Sequence, residues 1–392
     1  MSQYLKLLTS LILIIFLPEG ISINLHLDSP TIGSLFSWVI SAFILIIDFK
    51  PKVYFSNVFY KLLLLLFILI FFSILFGNIF NNNFNYIKLF QSIILIILQI
   101  LLAYIIFFRF VNIDKNIINL VLKNTATILL VFSYFILILR IFVQSEDKKM
   151  IFFNEPSHFA IASGPFYFYY IITNKKNFLF LILAIISAIL LQNMTLLIPI
   201  IISLYITNKK YFILLLVMSV LLLPILSSEF ITYLTDRSVG IGNSSDNNNL
   251  SGLVYIQGWE YVISIFKNFY GIGIGFQQMG QIKINSNAQD FLHFIGYPLN
   301  ENDGSFLFSK LIVEFGIIGL MITLYYLFKI PNVYKSLKIS IIKQSSIHIF
   351  AYSCYLFLGV LLFVRNYSYF NPAILLFFAS LFIIINTKQI EK

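Results

Sequence analysis

Charge is scarce in this chain, and so are cysteine, tryptophan and arginine. Only 11% of the 392 residues are Asp, Glu, Lys or Arg, whereas 59% are hydrophobic and 18% aromatic. A water-soluble domain carries roughly a quarter charged residues and about 45–50% apolar ones. Too few polar side chains remain here to coat an exterior facing water, which excludes soluble enzymes and disordered chains. A single cysteine, Cys354, excludes an intramolecular disulfide and any cysteine-based metal cluster. The formal charge of +10 comes from basic residues scattered between apolar runs, so a nucleic-acid partner is excluded as well. What is abundant is apolar length, with a mean hydropathy of +0.92. The composition is that of an all-α, polytopic integral membrane protein.

A bilayer core takes about 20 mainly apolar residues per helix. Runs of that kind lie near 5–22, 31–48, 58–77, 86–108, 117–142, 157–173, 177–192, 195–207, 211–228, 304–328, 346–364 and 372–386, giving about twelve candidate spans. The seventh and eighth are short and joined by Gln192-Asn193-Met194-Thr195, so they are either two thin spans or a hairpin that crosses in part. The first run lacks a small-residue cleavage site, and Pro18-Glu19-Gly20 reads as a helix end rather than the end of a signal peptide. Lysines fix the orientation, because Lys and Arg concentrate in short cytoplasmic loops. With the N-terminus inside, Lys50, Lys52, Lys175, Lys176, Lys209, Lys210, Lys335, Lys338 and Lys343 all fall on the cytoplasmic side, while most acidic residues fall outside. Both termini are then cytoplasmic.

The expected organisation is membrane helices over 1–228, a large outer loop over 229–303, and further membrane helices over 304–392. That loop is too long for a simple connector. Asp236 to Asn249 is rich in Asn, Ser and Gly, whereas Val254, Tyr255, Gly258, Tyr261, Val262, Ile265 and Phe269 recur at helical spacing. The spacing predicts an amphipathic helix near 254–268, lying at the membrane surface.

Polar groups at membrane depth or on the outer face are where chemistry is expected, since burying them without purpose is costly. Three of the four arginines, Arg140, Arg237 and Arg365, fall on the outer side, against a background of 22 lysines. Guanidinium binds phosphate bidentately where ammonium acts as a point charge; equally, each arginine can simply anchor a helix end. His158 and His293 are outer as well, while His348 begins a cytoplasmic helix end. Within Asn154-Glu155-Pro156-Ser157-His158, Pro156 suits a first helical turn. Glu155 and His158 then form either an acid/base couple or a helix cap favoured by the positive helix end. Asp303 reads as the N-cap of the tenth span, and Lys310 and Glu314, four apart inside it, as a local ion pair. Gly271-Ile272-Gly273-Ile274-Gly275 lacks the strand–helix context of a dinucleotide fingerprint and reads as a flexible turn or a backbone nest for phosphate.

Taken together, four stretches in order resemble the O-antigen polymerase family of bacterial surface-polysaccharide polymerases. They are Glu155-Pro156-Ser157-His158-Phe159-Ala160, Leu253 to Glu260, Gly271 to Gly280, and Asn302-Asp303-Gly304-Ser305-Phe306-Leu307 running on through Glu314-Phe315-Gly316. Arg365 with Tyr369-Phe370 is a further echo. The likeness covers about 140 to 375 distinctly and the first 140 residues by hydropathy alone.

The resemblance implies a GT-C-like membrane glycosyltransferase in the bacterial inner membrane, with its active site on the periplasmic side. Donor and acceptor are undecaprenyl-pyrophosphate-linked oligosaccharides, the surroundings are membrane lipid, and a chain-length regulator protein is an accompanying partner. No metal or other cofactor is implied, and no Asp-x-Asp metal motif occurs on the outer side. Arg237 is then the first candidate to stabilise the leaving pyrophosphate, with Arg365 and Arg140 in support. His293 is the first candidate base for the acceptor hydroxyl, followed by Glu155 and Asp303. His158, Gln257 and Tyr369 join Arg140 and Arg365 as substrate-binding candidates. The related ligases carry a functional histidine where this chain has Asp303-Gly304-Ser305, which leans away from a ligase. A lipid-linked oligosaccharide flippase is the other alternative, although two related halves and the lack of a long outer loop are expected of one.

Overall fold

The computed structural model describes residues 2–27, 30–47, 56–80, 84–143, 151–175, 177–207, 209–210, 212–213, 250–297 and 299–390. Among these the chain forms fourteen α-helices and no β-sheet. The first eight are α1 (Gln3–Asn24), α2 (Thr31–Ile46), α3 (Asn57–Phe80), α4 (Tyr86–Asn112), α5 (Lys115–Val143), α6 (Pro156–Thr173), α7 (Phe178–Leu190) and α8 (Met194–Thr207). Then follow α9 (Leu250–Asn268), α10 (Asn287–Phe294), α11 (Leu307–Phe315), α12 (Ile317–Ile342), α13 (Ser346–Phe363) and α14 (Pro372–Ile390). The ninth expected run, 211–228, lies outside the described residues apart from 212 and 213, and the Asn-rich segment to residue 249 lies outside them entirely.

Six helices, α1, α3, α4, α5, α12 and α13, are long and apolar enough to cross a membrane; α2, α7, α8 and most of α14 are shorter apolar helices. Large apolar side chains such as Phe43, Phe67, Ile87, Phe90, Val131 and Phe142 point away from the protein. Water would penalise that outward face and lipid does not. The arrangement is that of a multi-pass membrane protein.

Packing follows the rules of helices in lipid, where small residues let backbones approach. Gly33, Ser37 and Ser41 form a stripe on α2 that faces α1. Ser37 Oγ donates to the Leu13 carbonyl at 2.9 Å, and a Cβ on Gly33 would lie 1.9 Å from the Pro18 carbonyl oxygen. At the centre sits α6, thirteen of whose eighteen residues are buried. Its tyrosines lower its hydropathy, and it is not among the six long apolar helices.

The tenth expected span, 304–328, is the largest departure. It is two helices, α11 and α12, broken at Gly316 with φ 57° and ψ −132°, a conformation open to glycine alone. The second piece then runs on to Ile342, well past the apolar run. A break in a membrane helix frees backbone groups that must be paired inside the protein. The glycine run supplies the partners: Ile274 N–H donates to the Val313 carbonyl at 2.9 Å and Gly275 N–H to that of Glu314 at 3.1 Å, while Ile317 N–H donates to the Gly271 carbonyl at 2.8 Å. Residues 271–275 are therefore a strap holding the break, neither a flexible turn nor a phosphate nest. Asp303 does not cap α11; Phe306 holds the N-cap position and Asp303 sits in the preceding turn.

The predicted amphipathic helix exists as α9, with Leu253, Val254, Gln257, Gly258, Tyr261, Val262 and Ile265 buried. Its inner face packs against the start of α11, where Ser305 Oγ donates to the Val254 carbonyl and Ser309 Oγ to that of Gly258, at 2.6 and 2.8 Å. Its inner apolar face is thus covered by protein, while Ile263 and Phe266 are exposed on the other side.

Candidate functional site

One end of the bundle gathers the C-terminal half of α1, the start of α6, the α13–α14 connection and residues 250–306. Two charged clusters and a cleft lie there.

In the first cluster Arg365 Nη2 donates to Glu155 Oε2 at 3.0 Å, and Ser157 Oγ donates to the same oxygen at 2.8 Å. Glu155 occupies the N-cap position of α6, yet its carboxylate does not cap the helix. Burial alone would raise that carboxyl; Arg365, then His158, and the hydrogen bonds from Ser157 and Arg365 outweigh burial and hold it below its ordinary value. His158 does not couple to Glu155 by a hydrogen bond. Its Nδ1 lies 2.9 Å from Glu19 Oε2, which also accepts the Asn154 N–H at 2.9 Å. A carboxylate only accepts, so Nδ1 is the donor, and a ring carrying that one proton leaves Nε2 as an acceptor. The imidazole stacks on Tyr367, centroids 4.0 Å apart, and the Tyr367 phenol is driven well above its ordinary value by burial first and by Glu19 next. The side chains of Arg365 and Glu155 are 17% and 46% exposed, so the pair faces an opening.

The second cluster is buried. Lys310 Nζ sits 3.6 Å from both Asp303 Oδ1 and Glu314 Oε1 and donates to the Asn302 carbonyl at 2.9 Å. It also lies 5.3 Å from the centre of the Tyr369 ring. Neither oxygen of Glu314 has a hydrogen-bond partner of good geometry among the described residues, and neither does the Tyr369 hydroxyl. Lys88 approaches the same carboxylates while donating to the Met279 carbonyl at 3.2 Å. The two clusters share the α13–α14 connection: Arg365 and Tyr367 serve the first and Tyr369 the second, with Asn366 N–H pinned to the Ser305 carbonyl at 3.1 Å.

His293 belongs to neither. It lies on α10, half-exposed and paired with Glu301, in a cleft of about 410 Å³. Gln257 sits behind that cleft, donating to the Tyr261 hydroxyl at 2.7 Å. Of the residues expected at a site, the structure brings together Glu155, His158 and Arg365, places Asp303 and Tyr369 beside them, and sets His293 and Gln257 apart. Arg237 lies outside the described residues, as does the side chain of Arg140. Glu19, Tyr367 and Lys88 have no counterpart in the expected set, and Lys310 and Glu314 were expected only as the local ion pair that they form. A lone carboxylate inside an apolar helix was the available signal for Glu19. Among the described residues no group of three or more His, Cys, Asp or Glu side chains is arranged to hold a metal ion.

No protein-family model, characterised protein or solved structure matches this chain.

Proposed function

We propose that the chain polymerises undecaprenyl-pyrophosphate-linked repeat units into a bacterial surface polysaccharide by glycosyl transfer at the outer face of the inner membrane. In this reading it crosses about twelve times, with both termini cytoplasmic. The carrying observation is the Glu19–His158 pair set beside the half-open Arg365–Glu155 pair at one end of an apolar bundle. Glycosyl transfer from a pyrophosphate needs an oriented base for the incoming hydroxyl and fixed positive charge for the leaving group. Glu19 fixes the ring and tautomer of His158, whose Nε2 takes the acceptor proton as the hydroxyl oxygen bonds to the donor's anomeric carbon. The bond from that carbon to pyrophosphate breaks, and lipid pyrophosphate leaves with the electron pair. Arg365 uses one of its five donors on Glu155, among the described residues, and the others face the departing charge. Arg237 and Arg140 remain supporting candidates from the sequence. His293 moves from base to the neighbouring cleft, because it shares no contact with the His158 cluster among the described residues.

Opposite the proposed site, Arg109 hydrogen-bonds the Leu45 carbonyl and Lys6 that of Ile47, consistent with a basic cytoplasmic end. Deletion of the gene followed by electrophoresis of surface glycolipids tests the reading. A polymerase mutant keeps core capped by a single repeat. Core with no repeat identifies a ligase instead, and glycan retained inside the cell a flippase.

A further inference from the structure

The cleft that holds His293 is formed by α9, α10 and residues 280–284, outside the long apolar helices. Its volume, about 410 Å³, accommodates one or two sugar rings. The wall is built rather than incidental. Glu260 Oε2 accepts from Ser286 Oγ at 2.6 Å and from Ala288 N–H at 3.0 Å, so its carboxylate fixes the start of α10 against α9. Gln289 follows one turn on, 9% exposed, and its amide oxygen lacks a hydrogen-bond partner among the described residues while its side chain lines the cleft. Such a group costs free energy unless something occupies the cleft and donates to it.

Positive charge is not in excess in the wall among the described residues. Lys283 pairs with Asp290 at 3.1 Å, and His293 with Glu301. Among the described residues no guanidinium lines the cleft to clamp a phosphate or pyrophosphate, whereas Arg365 supplies one at the first cluster. The lining combines the polar side chains of Gln289, Asp290, His293 and Glu301 with the apolar ones of Ile282 and Ile284. Sugar hydroxyls both donate and accept, and pyranose C–H faces are apolar, so this mixture suits a neutral glycan. We propose that the cleft is a saccharide-binding subsite for an uncharged sugar. On the reading given above, which this extends, it holds the sugar portion of a lipid-linked unit while the pyrophosphate lies at Arg365.

The test uses the full chain in lipid nanodiscs on a printed array of uncharged glycans, with soluble pyrophosphate as competitor. The parent is expected to retain a subset of glycans, unaffected by pyrophosphate, and Gln289→Ala combined with Glu301→Gln to lower that retention at least tenfold while the elution volume is unchanged. Absence of any retained glycan, displacement by pyrophosphate, or an unchanged pattern in the variant overturns the proposal. The same variant expressed in a gene-deleted strain separates the two ideas. Lost array binding with a normal glycolipid ladder in the deleted strain itself keeps the saccharide site and removes the polymerase reading. A single-repeat phenotype on gene deletion with unchanged array binding keeps that reading and removes the subsite.

Discussion

The two charged clusters at one end of the bundle differ in how their charges are compensated. Around Glu155, Arg365, His158 and Glu19, the paired groups meet at hydrogen-bonding distances of 2.9 and 3.0 Å, and the outer pair is open to its surroundings. Around Lys310 and Glu314 the side chains are almost fully buried, the pair stands 3.6 Å apart, and the Glu314 oxygens make no hydrogen bond of good geometry among the described residues. A buried ion pair without full hydrogen bonding repays its desolvation poorly, but removing one partner is worse, since it strands a charge. On the proposed reading the first cluster is the one arranged for a ligand. The second is arranged to hold α11, the strap and the α13–α14 connection in one geometry.

This contrast can be broken in order of effect. Lys310→Met is expected to destabilise the protein by about 3–5 kcal/mol, and Lys310→Met with Glu314→Leu to recover most of that loss. Thermal unfolding of the purified chain in detergent reads both; equal losses in the single and double variants would remove the stranded-charge argument. His158→Ala is expected to lower polymer formation by roughly 10²–10⁴-fold and, because it strands the buried Glu19 carboxylate, to lower the unfolding temperature as well, whereas Glu19→Gln keeps the ring in place and lowers polymer formation less. Arg365→Lys should cost about ten- to a hundredfold, because an ammonium cannot bridge Glu155 and a phosphate in one plane. Normal glycolipid ladders from the last two variants would transfer the chemistry to groups outside this cluster.

The smallest effect is one of pH. Arg365 and its neighbours hold the Glu155 carboxyl below its ordinary value, so the pair's contribution is complete above the ordinary carboxylate pKa, about 4.3, and is lost as pH falls through the lower folded value. The difference in unfolding temperature between the parent and Arg365→Ala should be flat from pH 8 to 5 and close at more acidic pH. A difference that closes near neutrality would point to a titrating group other than Glu155.

Much of the fold was legible because apolar runs end where polar residues begin. The starts of α1 to α8 fall within a few residues of the expected runs for that reason. The interruption at Gly316 was not, since hydropathy is blind to one glycine whose backbone conformation is set by a strap more than 40 residues upstream. Nor was the length of α12: Lys329, Pro331, Lys335 and Lys338 end the apolar run, while the helical hydrogen bonding continues beyond it to Ile342. At the site, Glu155, His158 and Arg365 stood out one by one through residue type and position. Their partners did not, because hydrogen bonds across 139 and 210 residues leave no trace in local spacing. Glu19 was hidden by its flanking proline and glycine, which read as a helix end although α1 continues to Asn24.

The span of those bonds also dates the site within the life of the molecule. Glu19 belongs to α1, Glu155 and His158 to the start of α6, and Arg365 and Tyr367 to the α13–α14 connection. Contacts so distant in sequence form late, after the intervening segments have been made and placed. A ribosome that stops before residue 365 releases a product with most of its apolar helices, fit to enter a bilayer, but with Glu155 lacking its guanidinium and His158 its stacking ring.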